Sequence, residues 1–280
     1  MHTQRHTNND VTYRQQLQQH YGTREGQALY RHILEEVFQL SQTDILLGKD
    51  SKLSPQHQQQ LHQIVARLLK NEPIQQILGY ATFCGRRYNV TPHTLIPRPE
   101  TEQLVRELLR RTPTPRHILD IGTGTGCIAI TLALHGHQLT ALDISPQALQ
   151  VAQANATAHS VQIHFLHEDI LHPQSPLPTA DIIVSNPPYI RQSEAATMHP
   201  NVLHYEPHQA LFVPDDDPLL FYRAIARQAH HSLTPHGTLY FEINQALATE
   251  TINLLNNEGY TDITLIKDQY GKDRIITAQL

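Results

Sequence analysis

"DIGTGTGCIAI", residues 120–130, sets Gly122, Gly124 and Gly126 between an apolar run and a helical one. Glycine tolerates the positive φ of a tight turn. It also lets a ligand approach the backbone at a helix N-terminus, where unpaired N–H groups and the helix dipole favour phosphate-like or other electron-rich groups. Asp143 closes the next apolar segment, "QLTALDI", roughly 20 residues downstream, where a carboxylate can accept both hydroxyls of a ribose. Strand, glycine turn, helix, strand and acid, in that order, read as an adenosine site. The spacing is G-x-G-x-G and not the G-x-G-x-x-G of dinucleotide sites, which makes NAD the weaker reading. Gly122, Thr123, Gly124, Thr125, Gly126 and Asp143 are therefore the expected nucleotide contacts.

Outward from that loop, strand and helix alternate from His117: "HILDIG", "CIAITLALHG", "QLTALDI", "PQALQVAQANATA", "VQIHFLHEDI" and "DIIVSN". Such alternation predicts an α/β fold, a mostly parallel sheet with helices on both faces. The closing strands, "YTDITLIKD" and "DRIITAQL", joined through "QYGK", are expected to pair antiparallel. Toward the N-terminus, Leu29, Ile33, Val37 and Leu40 recur at helical spacing, and Ser54 with Pro55 opens a second stripe of Leu61, Ile64, Val65, Leu68 and Leu69. Residues 1 to about 24, rich in Gln and His, read as weakly structured. "YATFCGRRYNV" predicts a hairpin about Gly85 and Arg86 before prolines break the pattern. The expected organisation is a helical domain over 1–79, a hairpin linker over 80–95 and an α/β domain over 96–280.

Composition narrows the function classes. The 280 residues are 39% hydrophobic, enough for a sizeable core, and 21 Lys and Arg against 26 Asp and Glu give a charge of -5. No global basic field favours non-specific nucleic-acid binding. The only cysteines, Cys84 and Cys127, form no disulfide framework, which suits a reducing, cytoplasmic setting. No apolar run approaches the roughly 20 residues of a membrane span. The 20 histidines are scattered; even His164 with His167 lacks a ligand set, so no metal is expected.

"DIIVSNPPYI", residues 181–190, carries the chemistry. In a doubly wound sheet the fourth strand lies beside the first, so Asn186 should face the glycine loop across the ligand crevice. Pro187 and Pro188 have no N–H to donate. The side-chain carbonyl of Asn186 and the backbone carbonyl of Pro187 can accept both N–H bonds of a planar amino group, while Tyr189 covers it. A nitrogen of that kind is a poor nucleophile because its lone pair is delocalised. Two acceptors would hold its plane toward an electrophilic methyl, such as that of S-adenosylmethionine. Asp169, just past the third strand, is placed to accept an adenine amino group.

"NPPY" after a strand, downstream of "DIGTGTG", resembles methyltransferases that act on planar amino nitrogens. Residues 72–105, "EPIQQILGYATFCGRRYNVTPHTLIPRPETEQLV", are similar to the linker signature of the peptide chain release factor glutamine methyltransferases, the PrmC/HemK family. "YEPHQALF" at 205–212 and "KDQYGKDRIITA" at 267–278 match later signatures of that family. The resemblance implies a Rossmann-like class I methyltransferase domain that binds S-adenosylmethionine and a helical N-terminal domain that recognises the substrate protein. It also implies methyl transfer to the glutamine of the Gly-Gly-Gln motif of class-1 release factors, with no direct nucleic-acid or membrane partner. By position, Gly122 to Gly126, Asp143, Asp169, Ile170 and Asn186 would hold the cofactor, and Asn186, Pro187, Pro188 and Tyr189 the glutamine. Arg98, Pro99, Glu100 and Thr101 belong to the signature with no chemistry derivable from sequence. Three positions depart from the family pattern: Gln76 for a common tyrosine, Ile170 for an aromatic beside the adenine, and Asn244 for glycine. Two other readings compete. A nucleic-acid amino methyltransferase, of DNA adenine or RNA guanine, would use the same four residues, and a non-catalytic adaptor would keep the fold alone.

Overall fold

The structure, a computed structural model, describes residues 5–280, with side chains described from Tyr13 onward. Two compact units emerge, one ending at Leu78 and one spanning Gly79–Leu280. The first is built from α1 (Arg5–Tyr21), α2 (Thr23–Phe38), α3 (Gln42–Leu46), α4 (Pro55–Leu68) and α5 (Ile74–Leu78). Ser54 caps α4 by accepting from His57 N at 3.2 Å, and Pro55 takes the first helical position, where a missing N–H costs nothing. Leu17, Ile33, Leu34, Leu61, Val65 and Leu68 are buried together in its core.

The weakly structured segment expected up to about residue 24 is instead α1 and the start of α2; residues 1–4 of that expectation lie outside the described residues. The signal lay in Tyr13, Leu17 and Tyr21, spaced four apart and packed on the core despite a polar surround. Gly26 permits the pairing of α1 and α2, because a Cβ there would sit 2.4 Å from the Leu17 backbone.

The second unit opens with β1 (Tyr80–Phe83) and β2 (Arg86–Asn89), then α6 (Pro99–Arg111), β3 (His117–Ile121), α7 (Cys127–Leu134), β4 (Gln138–Asp143), α8 (Pro146–Ala158) and β5 (His164–His167). It continues through β6 (Ala180–Ser185), β7 (Ile190–Arg191), α9 (Pro200–Tyr205), β8 (Phe212–Val213), α10 (Leu220–Ser232), β9 (Leu233–Glu242), α11 (Ala248–Asn257), β10 (Thr261–Lys267) and β11 (Asp273–Gln279). A seven-stranded sheet has the order β10-β11-β9-β6-β3-β4-β5. Strands β9, β6, β3, β4 and β5 run parallel, and β11 lies antiparallel to both its neighbours, as the closing-pair reading anticipated. The order reverses at β3, where connections leave toward β4 on one side and β6 returns on the other. That switch opens a crevice at the strand C-terminal ends.

The hairpin turns on Cys84 and Gly85, φ 47° and 73°, one residue earlier than expected, because a two-residue type I′ turn needs positive φ at both central positions. Residues 80–89 are not a free tether. Phe83 and Tyr88 are fully buried in one cluster with Leu104, Val105 and Leu108 of α6, and Tyr88 OH shares a 2.9 Å hydrogen bond with Thr131 Oγ1. Phe83→Ala should destabilise this unit by about 3–5 kcal/mol in denaturant unfolding. A cost within about 0.5 kcal/mol would return the hairpin to the role of a linker.

Candidate active site

The glycine loop divides by task. Gly122 and Gly124 have φ of 76° and 54°, and a Cβ on either would meet nothing within 4 Å, so the backbone there borders open space. A Cβ on Gly126 would press to 3.0 Å of Ile130 and 3.2 Å of Ala152, so this glycine serves the packing of α7 against α8. Thr123 and Thr125 also turn inward: Thr123 Oγ1 donates to Asp120 Oδ2 at 2.7 Å, and the Thr125 carbonyl accepts from Asn155 Nδ2 at 2.9 Å. Among the loop residues expected to hold a nucleotide, Gly122 and Gly124 are the two that line the crevice.

The first cavity brings Gly122, Gly124, Asp143, Asp169, Ile170 and Asn186 together with Pro187 and Pro188. The Asp143 carboxylate accepts from Gly124 N and Ser145 N, each at 2.9 Å, which fixes it against the loop. Burial raises its pKa against the opposing pull of those backbone donors. Asp169 Oδ1 accepts from Leu171 N at 2.9 Å at the far side. Two aliphatic side chains border the same space: Ile170 is nearly buried, and Ile144 is 51% exposed although it directly follows the strand that ends at Asp143. Open backbone, a carboxylate and aliphatic faces suit the ribose and base of a nucleoside.

A second cavity lies on the other side of Asn186 and Pro187. Leu95, Asn186, Pro187 and Ala210 border both spaces, and Arg98, Glu100, Tyr189, Glu242 and Arg274 border the second alone. Position is set by β6: Ser185 pairs with Ile121 in parallel register, and its Oγ donates to the Ile121 carbonyl at 2.7 Å. Beyond it, Asn186 Nδ2 donates to Thr101 Oγ1 at 3.1 Å, Thr101 Oγ1 donates to Glu242 Oε2 at 2.7 Å, and Tyr189 OH donates to Glu242 Oε1 at 3.1 Å. Burial, then the neighbouring Glu242 charge, pushes the Tyr189 phenol up, so it keeps its proton. Buried Glu206 accepts from Ile96 N at 3.1 Å and pairs with the Arg98 guanidinium, joining segments more than 100 residues apart.

The family model described as "PrmC N-terminal domain" matches residues 12–79, and "Methyltransferase small domain" matches residues 99–209. The chain is 47% identical over 268 residues to the release factor glutamine methyltransferase of Bacteroides thetaiotaomicron, covering 95% of this chain and 96% of that one. It is 44% identical over 263 residues to that of Flavobacterium psychrophilum, covering 91% and 92%.

The chain belongs to the release factor glutamine methyltransferase family.

Among solved structures, a Thermus thermophilus 16S rRNA N2 methyltransferase in complex with AdoMet and guanosine superimposes with TM-score 0.53 at 20% identity, over 71% of this chain and 49% of that one. A Pyrococcus furiosus methyltransferase gives TM-score 0.52 at 18% identity, over 76% and 96%. At these identities the likeness establishes the Rossmann-like methyltransferase fold.

The family signatures meet in space. Arg98 of "IPRPETE" binds Glu206 of "YEPHQALF", Thr101 reaches Asn186 of "NPPY", and Arg274 of the last signature borders the second cavity. Of the three departures, Gln76 sits in α5, and Ile170 closes the first cavity with an aliphatic wall. Asn244 has acquired partners that glycine lacks: Oδ1 accepts from Ala246 N at 3.0 Å, and Nδ2 donates to the Tyr189 carbonyl at 3.2 Å. Sequence reading missed Ile144, Leu95 and Glu242. The signal for Glu242 was a lone acid ending the apolar strand "LYFE". His164 and His167, three apart on β5, point to opposite sheet faces.

Two outcomes follow from these contacts. Asn244→Gly should lower stability by about 1 kcal/mol, by losing a cap and a side-chain bond to the Tyr189 carbonyl, measured as a denaturant midpoint. Asp120 is fully buried with Oδ1 unpartnered, and burial pushes its carboxyl up to about 7. Because the folded pKa exceeds the unfolded one, the contribution of Asp120 to stability is fully present below pH about 4 and is lost as pH rises to about 7. Asp120→Asn, neutral throughout, should therefore gain in Tm relative to wild type as pH goes from about 4 to 8. A constant difference across that window would show that the carboxyl titrates normally.

Proposed function

We propose that this chain transfers a methyl group from S-adenosylmethionine to the side-chain amide nitrogen of the glutamine in the Gly-Gly-Gln motif of class-1 peptide chain release factors, in the cytoplasm. The observation that carries the reading is the wall of Asn186 and Pro187 between two cavities, one bordered by the open glycine loop and Asp143. The names of relatives 47% and 44% identical along nearly the full chain support the substrate.

The residues present fit S-adenosylmethionine. Gly122 and Gly124 leave room beside the backbone, Asp143 would accept from the ribose hydroxyls, Asp169 from the adenine amino group, and Ile144 and Ile170 would flank the base. When bound, the cofactor supplies a methyl activated by its sulfonium. Everything else falls to the chain. Asn186 Oδ1 and Pro187 O would accept the two N–H bonds of the glutamine amide and hold its plane. Both acceptors favour the positive charge that grows on nitrogen, and the nitrogen returns to neutrality by giving one N–H proton to solvent as the product leaves. Tyr189, tied by its hydroxyl to Glu242, would cover the amide and exclude water. The helical N-terminal unit would recognise the release factor.

The test pairs two variants with methyl-labelled S-adenosylmethionine and unmodified release factor, localising label by peptide mass. Wild type should label that glutamine and no nucleic acid. Asn186→Ala should slow transfer by about 10²–10³-fold, a far larger loss than any in cofactor affinity, whereas Asp143→Ala should weaken cofactor affinity by about tenfold or more. Label on DNA or RNA alone, or full turnover by Asn186→Ala, would overturn the reading.

A further inference from the structure

The Asn186 side chain has two ends of nearly equal shape, and one of them can do the work assigned above. Oδ1 accepts hydrogen bonds and Nδ2 donates them. A glutamine amide presenting its own N–H groups needs Oδ1; the reversed side chain would set donor against donor.

We propose that Thr101 and Glu242 are positioning residues that fix the orientation of the Asn186 amide, so that Oδ1 faces the substrate nitrogen. The number of hydroxyl protons decides the orientation. Thr101 has one hydroxyl proton, and it is directed to Glu242 Oε2 at 2.7 Å. What remains on Thr101 Oγ1 is lone pairs, so the end of Asn186 that meets it at 3.1 Å is Nδ2. Reversal would put Oδ1 against those lone pairs, two acceptors in contact.

Glu242 is what commits that proton. Its two oxygens take separate donors, Thr101 Oγ1 and the Tyr189 hydroxyl, the pattern of an ionised, acceptor-only carboxylate. Burial works against ionisation there, while the two hydroxyl bonds and the Arg274 charge favour it. Thr101 is 4% and Glu242 1% exposed, so water cannot substitute freely if either partner is removed. One carboxylate thus orients the two polar side chains of "NPPY", Asn186 through Thr101 and Tyr189 directly. The role assigned here to Thr101, a signature residue with no chemistry evident from sequence, rests on the glutamine-clamp reading.

The experiment measures kcat and KM for unmodified release factor, cofactor-product affinity by calorimetry, and Tm, for wild type, Thr101→Val, Thr101→Ser and Glu242→Met. Valine keeps the shape of threonine without its hydroxyl; serine restores the hydroxyl. Thr101→Val should lower kcat by about tenfold or more with KM and cofactor affinity within about threefold of wild type, and Thr101→Ser should stay within about threefold in kcat. Glu242→Met, which keeps the length of the side chain but offers Thr101 no acceptor, should also lose kcat before KM and supplies the test if the valine variant fails to fold. Thr101→Val or Glu242→Met with kcat within about twofold of wild type, or Thr101→Ser as impaired as Thr101→Val, would overturn the inference. Absence of release-factor labelling by wild type itself would instead overturn the clamp reading, and the inference with it.

Discussion

The parallel register that sets Ser185 of β6 opposite Ile121 of β3 is the constraint on which the site depends. Both strands stop at the same level, one running into the glycine loop and the other into "NPPY". The Ser185 hydroxyl bond to the Ile121 carbonyl secures that coincidence where the ladder ends. A shift of one residue would turn Ser185 to the opposite face and carry Asn186 away from the crevice. The switch in strand order at β3 leaves the space between these loops free of a crossover, which is why a ligand can occupy it.

Around that crevice the fold holds more buried acid than a stable core would choose. Asp120, Asp143 and Glu242 all have carboxyl groups pushed up by burial. Each has a hydroxyl or backbone N–H turned toward it, from Thr123, from Gly124 and Ser145, and from Thr101 and Tyr189. These bonds compensate part of the desolvation cost, and wherever the carboxyl is ionised it only accepts, which dictates where each neighbouring proton points. The prolines act in the same sense: with no N–H at 187 or 188, the backbone at those two positions offers acceptors and no donor.

How much of this was legible follows the range of the interactions. The glycine loop, Asp143 and "NPPY" are local patterns of turn and strand end, and the sequence order of strands and helices gave the sheet. Local signals also sufficed for Ser54 and Pro55 at the start of α4. What escaped were pairs made by the fold: Arg98 with Glu206, Thr101 with Asn186 and Glu242, Asn244 with the Tyr189 carbonyl. None has a period or spacing to announce it. The hairpin at 80–89 and α1 were underestimated for a related reason, because a few residues, Phe83, Tyr88 and Leu17, supply contacts that a polar composition hides.

The proposed clamp seats a planar amide between Asn186 and Pro187 with its nitrogen turned to the cofactor cavity. A crystal structure with S-adenosylhomocysteine and a glutamine-bearing Gly-Gly-Gln peptide measures this directly. The amide nitrogen should lie about 3 Å from both Asn186 Oδ1 and the Pro187 carbonyl, with the ribose against Asp143. A glutamine held elsewhere, or turned so that its carbonyl occupies that place, would contradict it.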